Sequence, residues 1–89
     1  MSDLAWSYAV IFRQVGGEIH AYCEALPEAI SAGDTEDEAA LEMGRALVAA
    51  VRGRIKDGTE LPAPESGHMS IALPVDMAQA AAAYVKRTV

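Results

Sequence analysis

The chain has 89 residues, of which 52% are hydrophobic and 22% are charged, and its formal net charge is −6 at pH 7. This composition is typical of one small globular domain and excludes a disordered chain. An acidic surface repels nucleic-acid phosphates and favours a basic partner, although it can also serve solubility alone. Charge by itself leaves both interpretations open.

The charges are unevenly distributed along the chain. No Lys or Arg occurs between Gln14 and Gly44, and this stretch contains Glu18, Glu24, Glu28, Asp34, Glu36, Asp37, Glu38 and Glu42. The single cysteine, Cys23, excludes an intrachain disulfide and is typical of a reducing compartment. There is no secretory signal pattern and no apolar run of bilayer length, so we expect a soluble, cytoplasmic protein.

Two segments rich in β-forming residues, 7–13 and 18–23, flank a Gly16-Gly17 turn and predict a β-hairpin. We expect Arg13 to pair with Glu18, and this register gives an apolar face made of Tyr8, Val10, Phe12, Ile19, Ala21 and Cys23. The opposite face would then carry Ala9, Ile11, Arg13, Glu18, His20 and Tyr22.

A third strand and a long helix are predicted next. Pro27 interrupts the hairpin pattern, and residues 29–32 predict a short strand. Thr35 and Glu38 have the spacing of a capping box, and Gly58 is a typical helix stop. Between them the apolar stripe has helical spacing and comprises Ala40, Met43, Leu47, Ala50, Val51 and Ile55.

The remaining chain predicts an extended linker over residues 61–67, a fourth strand over 68–73, and a second helix capped by Asp76. Its apolar side would comprise Met77, Ala80, Ala81, Tyr84 and Val85. The order strand, strand, strand, helix, strand, helix predicts an α+β fold. Residues 1–67 and 68–89 are expected to belong to the same single domain, and a core so rich in alanine predicts a homodimer.

Catalytic, metal and cofactor sites are not predicted. Residues three apart in a strand point to opposite faces, so His20 cannot activate Cys23 as a nucleophile. The two histidines and one cysteine lack the spacing of a metal site. The mixed face of the hairpin is left as a candidate protein interface, with an ordinary solvated sheet face as the alternative.

The segments LPEAISAGDTEDEA (26–39), EAALEMGRAL (38–47) and DGTELPAPE (57–65) resemble the HicB antitoxins, and the resemblance spans residues 7–66. It implies a partial ribonuclease-H-like fold without nuclease carboxylates. It also implies a HicA-type partner, a small basic toxin that cleaves messenger RNA. We therefore expect a non-enzymatic antitoxin that binds and occludes the toxin. The candidate partner-binding residues are Ile11, Glu18, His20, Tyr22, Glu24 and Glu28.

The chain departs from the family pattern at two places. Glu28 replaces the glycine that often follows the Leu-Pro pair. Residues 69–79 resemble the start of a ribbon-helix-helix segment, but one helix follows where that motif needs two, which counts against operator binding. A small dimeric regulator that binds operator DNA through the C-terminal strand and helix is the alternative. A nuclease would need several converging carboxylates, which the strand sequences do not offer.

Overall fold

The computed structural model describes residues 5–66 and 69–88 and has the α+β order expected from the sequence. Its elements are β1 (Ser7–Ala9), β2 (Ile11–Val15), β3 (Glu18–Tyr22), β4 (Ile30–Gly33), α1 (Glu36–Asp57), β5 (Ser70–Ala72) and α2 (Val75–Thr88). Strands β2, β3 and β4 form an antiparallel sheet in that order, and β1 pairs antiparallel with β5. The ribonuclease-H-like assignment stays a prediction.

The predicted first strand is divided into β1 and β2. The backbone N–H of Val10, between the two, donates to the carbonyl of Met69 at 2.9 Å, and Tyr8 pairs with Ile71 of β5. The expected pairing of Tyr8 with Cys23 and of Val10 with Ala21 is therefore wrong. The cause is a distant strand, β5, which competes for the backbone groups of β1.

The hairpin register is also displaced by two residues. Arg13 pairs with His20 rather than Glu18, and Phe12 pairs with Ala21 rather than Ile19. The ladder continues to the pair Val15 and Glu18, because Gly16 adopts a φ of 62° and closes a two-residue turn. An even displacement leaves each side chain on its predicted face.

Helix α1 begins and ends where the sequence predicts. The N–H of Glu38 donates to the Thr35 hydroxyl at 3.2 Å, while the Glu38 carboxylate accepts the N–H of Asp34 at 2.8 Å. Gly58 closes the other end with a φ of 71°. The buried residues of α1 pack on β3 and β4 and comprise Ala39, Met43, Leu47, Ala50 and Val51. Ala40, which was predicted to be among them, is half-buried.

Helix α2 begins differently from the prediction. The carbonyl of Pro74 accepts the N–H of Ala78 at 2.8 Å, so Asp76 lies inside the first turn and is not the cap. Met77, Ala78 and Ala81 are buried, whereas Ala80 is exposed. The predicted fourth strand begins at His68, which lies outside the described residues.

The core joins the sheet, both helices and the linker. Tyr8 is fully buried at its centre, where its hydroxyl donates to the carbonyl of Pro62 at 2.7 Å and accepts the indole N–H of Trp6 at 2.8 Å. These bonds fasten the linker after α1 to β1. Among the described helices, none combines the length and apolar character that crossing a membrane requires.

Candidate protein-binding site

Over one face of the three-stranded sheet lies neither of the described helices. Since directly paired residues of antiparallel strands share a face, the outer face, opposite α1, comprises Ile11, Arg13, Val15, Glu18, His20, Tyr22, Ile30 and Ala32. Its large aliphatic residues are well exposed: Ile11 by 42%, Val15 by 43% and Ile30 by 58%. Such exposure shows that no described segment covers this face.

The centre of the outer face is apolar and aromatic. Tyr22 on β3 pairs with Ile11 on one side and with Ile30 on the other, so these three side chains form a continuous row across the sheet. The guanidinium carbon of Arg13 lies 5.8 Å from the centroid of the Tyr22 ring. At this distance the cation is attracted to the face of the ring.

The neighbouring rows are polar. His20 Nε2 lies 3.2 Å from Glu18 Oε1, and the two residues stand on the same side of β3. The His20 side chain is 28% exposed and that of Glu18 58%. The outer face therefore changes from apolar at Tyr22 to charged near the hairpin turn.

Four of the six candidate residues lie together on this face, namely Ile11, Glu18, His20 and Tyr22. Glu24 is exposed in the loop after β3. Glu28 is held elsewhere, because its carboxylate accepts two hydrogen bonds from Arg54 of α1, at 2.7 and 2.9 Å. The Arg54 guanidinium lowers the pKa of Glu28, the direction expected for a carboxylate paired with a cation.

Sequence reasoning missed the contribution of β4 to the outer face. Ile30 is exposed, whereas its smaller neighbour Ala29 is buried, the reverse of what hydrophobicity predicts. The alternation of side chains along β4 could have been combined with that of β3. That combination requires the register between β3 and β4, which places Ile30 opposite Tyr22 and which the sequence alone does not give.

An acidic end lies next to the outer face. Because Gly33 pairs with Ile19, β4 enters α1 at the hairpin-turn end of the sheet. The acidic end comprises the exposed residues Glu18, Asp34, Glu36, Asp37 and Glu38. The first turn of α1 contributes three of these carboxylates, which complement the positive end of the helix dipole.

Basic residues gather at the opposite end of α1. This helix has 22 residues and is therefore about 33 Å long. Lys56 lies in its last turn, and Lys86 and Arg87 lie in the last turn of α2, near the point where the Tyr84 hydroxyl donates to the Thr59 carbonyl at 2.6 Å. Asp57 and Glu60 are exposed at the same end, so this end carries mixed charge, whereas the end beside the hairpin turn is acidic.

The profile of the HicB-like antitoxins of bacterial toxin–antitoxin systems matches residues 7–82. The chain belongs to the HicB-like antitoxin family. No curated protein matches it. The matched region of this HicB-like chain extends beyond residue 66, where the resemblance seen in the sequence ended, and includes β5 and half of α2.

The reactive side chains of the HicB-like chain are separated from one another. Cys23 is 2% exposed in the core, and burial raises the pKa of its thiol, whereas His20 stands on the outer face. A buried thiol with a raised pKa is a poor nucleophile. Within residues 5–66 and 69–88, no three His, Cys, Asp or Glu side chains are grouped so as to hold a metal ion.

Proposed function

We propose that this HicB-like antitoxin neutralises a small basic HicA-type toxin, an enzyme that cleaves messenger RNA, by binding over the toxin's active surface without catalysis of its own. The uncovered outer face is the observation that carries the proposal. An antitoxin requires a toxin partner, and an exposed apolar row beside an acidic end is suited to a basic one.

The outer face has the composition of a protein interface. Its apolar centre at Ile11, Tyr22 and Ile30 offers one aromatic anchor between two aliphatic side chains, a common arrangement for residues that dominate binding energy. Glu18 and His20 supply the polar rim that surrounds such a centre. We therefore assign the largest share of the affinity to the row through Tyr22.

The acidic end supports the choice of a basic partner. Opposite charges steer the encounter and fix the orientation of the two proteins more than they add affinity. Glu24 follows β3 at the end away from the hairpin turn, where it adds one exposed carboxylate on the other side of Tyr22. Glu28 would have to leave Arg54 in order to bind a toxin, so we assign it the smallest effect of the six candidate residues.

Operator binding is not part of the proposal. The alternative requires the strand β5 and helix α2 for DNA recognition, but β5 pairs with β1 and the buried residues of α2 enter the common core. The net charge of −6 also opposes binding to phosphates. The proposal includes a cytoplasmic location, where messenger RNA is available, and a homodimer.

The test compares two charge-introducing variants that differ in position. Ile11→Arg alters the outer face, and Leu41→Arg alters an α1 residue that is 62% exposed on the helix side. Purified HicA-type toxin is titrated with each antitoxin, and cleavage of an RNA substrate is measured. We expect Ile11→Arg to weaken inhibition at least tenfold, since a buried unpaired charge costs more than about 1.4 kcal/mol at an interface.

Leu41→Arg should inhibit like the wild type. Equal inhibition by both variants, or RNA cleavage that continues in an excess of wild-type antitoxin, would contradict the proposal. RNA turnover by the antitoxin alone would contradict its non-catalytic part.

A further inference from the structure

The open edge of the sheet at β4 offers a second surface, distinct from the outer face. In the described part of the chain, β4 pairs with β3 alone, so alternate residues direct their N–H and C=O groups away from the sheet. The strand reads Ile-Ser-Ala-Gly and contains neither the charge nor the proline that commonly protects an edge. Its backbone is therefore available to another strand.

Helix α1 borders this edge with small residues. A groove of about 410 Å³ lies between the edge and the helix, lined by Ile30, Ser31, Ala32, Glu42, Arg45 and Ala46. The flank of α1 toward the groove continues at helical spacing through Ala49 and Gly53. Ala49 is exposed, and Ala46 and Gly53 are half-buried.

We propose that β4 pairs antiparallel with β4 of a second copy of this chain, so that the two sheets become one and the two α1 helices pack side by side. The reason is geometric. Neighbouring strands are about 4.8 Å apart, and α1 covers β3 and β4, so the two helix axes would be about 10 Å or less apart. Packed helix axes are commonly about 8–10 Å apart, and the small side chain of Ala46 beside the edge permits such an approach.

The charged side chains beside the edge are arranged so that they can pair with those of a second copy. Glu42 and Arg45 form an exposed ion pair within one chain, with Arg45 Nη1 2.9 Å from Glu42 Oε2. A two-fold axis through β4 runs the two helices in opposite directions and brings Glu42 of each copy toward Arg45 of the other. An extended segment of a toxin would match the edge but would not account for this symmetry.

The inference concerns contact between copies and rests on the homodimer included in the proposed function, but not on toxin binding. Light scattering after size-exclusion chromatography measures the mass of the full chain over a range of concentrations. We expect the wild type to reach the dimer mass. A wild type that stays monomeric at every concentration overturns the inference, even if the edge then proves to bind a toxin segment.

Two matched variants locate the contact. Ala46→Arg places a long charged side chain beside the edge, close to the two-fold axis, and Ala82→Arg makes the same change at an equally half-buried position of α2. We expect the dissociation constant of the dimer to rise at least tenfold for Ala46→Arg and to stay unchanged for Ala82→Arg. Equal dimerisation by both variants overturns the inference.

A charge exchange tests the symmetry directly. Glu42→Arg and Arg45→Glu should each weaken self-association at least tenfold, because like charges then face each other. Mixing the two variants should restore dimers, each with one copy of either variant. Two variants that fail to combine, or that dimerise separately as well as the wild type, overturn the inference. Toxin inhibition measured on the same variants reports the proposed function separately.

Discussion

Removal of one hydroxyl group from Tyr8 should destabilise the fold far more than removal of a similar hydroxyl from Tyr84. Both hydroxyls donate to a carbonyl of the segment that follows α1, Tyr8 to Pro62 at 2.7 Å and Tyr84 to Thr59 at 2.6 Å. They differ in burial, since Tyr8 is fully buried and Tyr84 only half-buried. Comparing the two substitutions therefore distinguishes the effect of burial from that of the hydrogen bond itself.

The expected magnitude for Tyr8→Phe follows from the groups that lose a partner. The indole N–H of Trp6, 7% exposed, would remain unpaired in the core, which costs about 1–3 kcal/mol. Loss of the bond to the half-buried Pro62 carbonyl adds about 1 kcal/mol. Each kcal/mol lowers the melting temperature of a domain of this size by about 4–8 °C. We therefore expect Tyr8→Phe to melt at least about 8 °C below the wild type.

Water can replace the Tyr84 hydroxyl at the exposed Thr59 carbonyl, so Tyr84→Phe should cost less than about 1 kcal/mol. Thermal unfolding followed by circular dichroism measures both variants, and fluorescence of the single tryptophan, Trp6, reports on the Tyr8 site. Similar melting temperatures for the two variants would refute the argument from burial.

The Tyr8 hydroxyl should also make the stability of the fold depend on pH. Desolvation raises the pKa of Tyr8 above its ordinary value of about 10. A raised folded-state pKa gives stability that is present below the unfolded pKa and is lost as pH rises through the folded value. The wild type should therefore lose stability above about pH 10 more steeply than Tyr8→Phe, which lacks the group.

Two further predictions concern single residues. Gly33→Ala should lower the free energy of unfolding by about 1–3 kcal/mol, measured by urea unfolding. The new Cβ would lie only 2.7 Å from the Glu38 Cβ and 2.8 Å from the Ala39 backbone nitrogen. Gly17→Ala is the control, because a Cβ there would have no atom within 4 Å. Glu28→Gln should make the free energy of unfolding depend less on pH at acidic pH. The lowered pKa of Glu28 gives stability that is lost as pH falls through the folded-state pKa. Because the pair with Arg54 is partly exposed, the effect is limited to about 1 kcal/mol or less.

Local signals predicted α1 most accurately. Thr35, Glu38 and Gly58 act through hydrogen bonds within one helical turn, so their capping role can be recognised from a short stretch of sequence. The outer face was predicted through the alternation of Glu18, His20 and Tyr22, which survives a register displacement of two residues.

The features that sequence reasoning missed depend on contacts between distant segments. The division of the first strand at Val10 needs the carbonyl of Met69, 59 positions later. The pairing of Glu28, a candidate partner-binding residue, with Arg54 joins residues 26 positions apart. Periodicity within a segment carries no information about such partners, because several distant side chains could satisfy the same group.

The two proposed surfaces can be used at the same time. A two-fold axis perpendicular to the sheet at β4 keeps both outer faces on the same side of the dimer and turns the two acidic ends in opposite directions along the strands. The two β3 strands would be only three strand spacings, about 14 Å, apart, whereas a standard interface covers about 800 Å² on each partner. Two toxins therefore fit only if each is displaced from the axis toward β2 and its own acidic end. The light-scattering mass of the mixture should then correspond to two antitoxins and two toxins. A mass corresponding to one toxin per dimer would mean that the toxin lies across the axis.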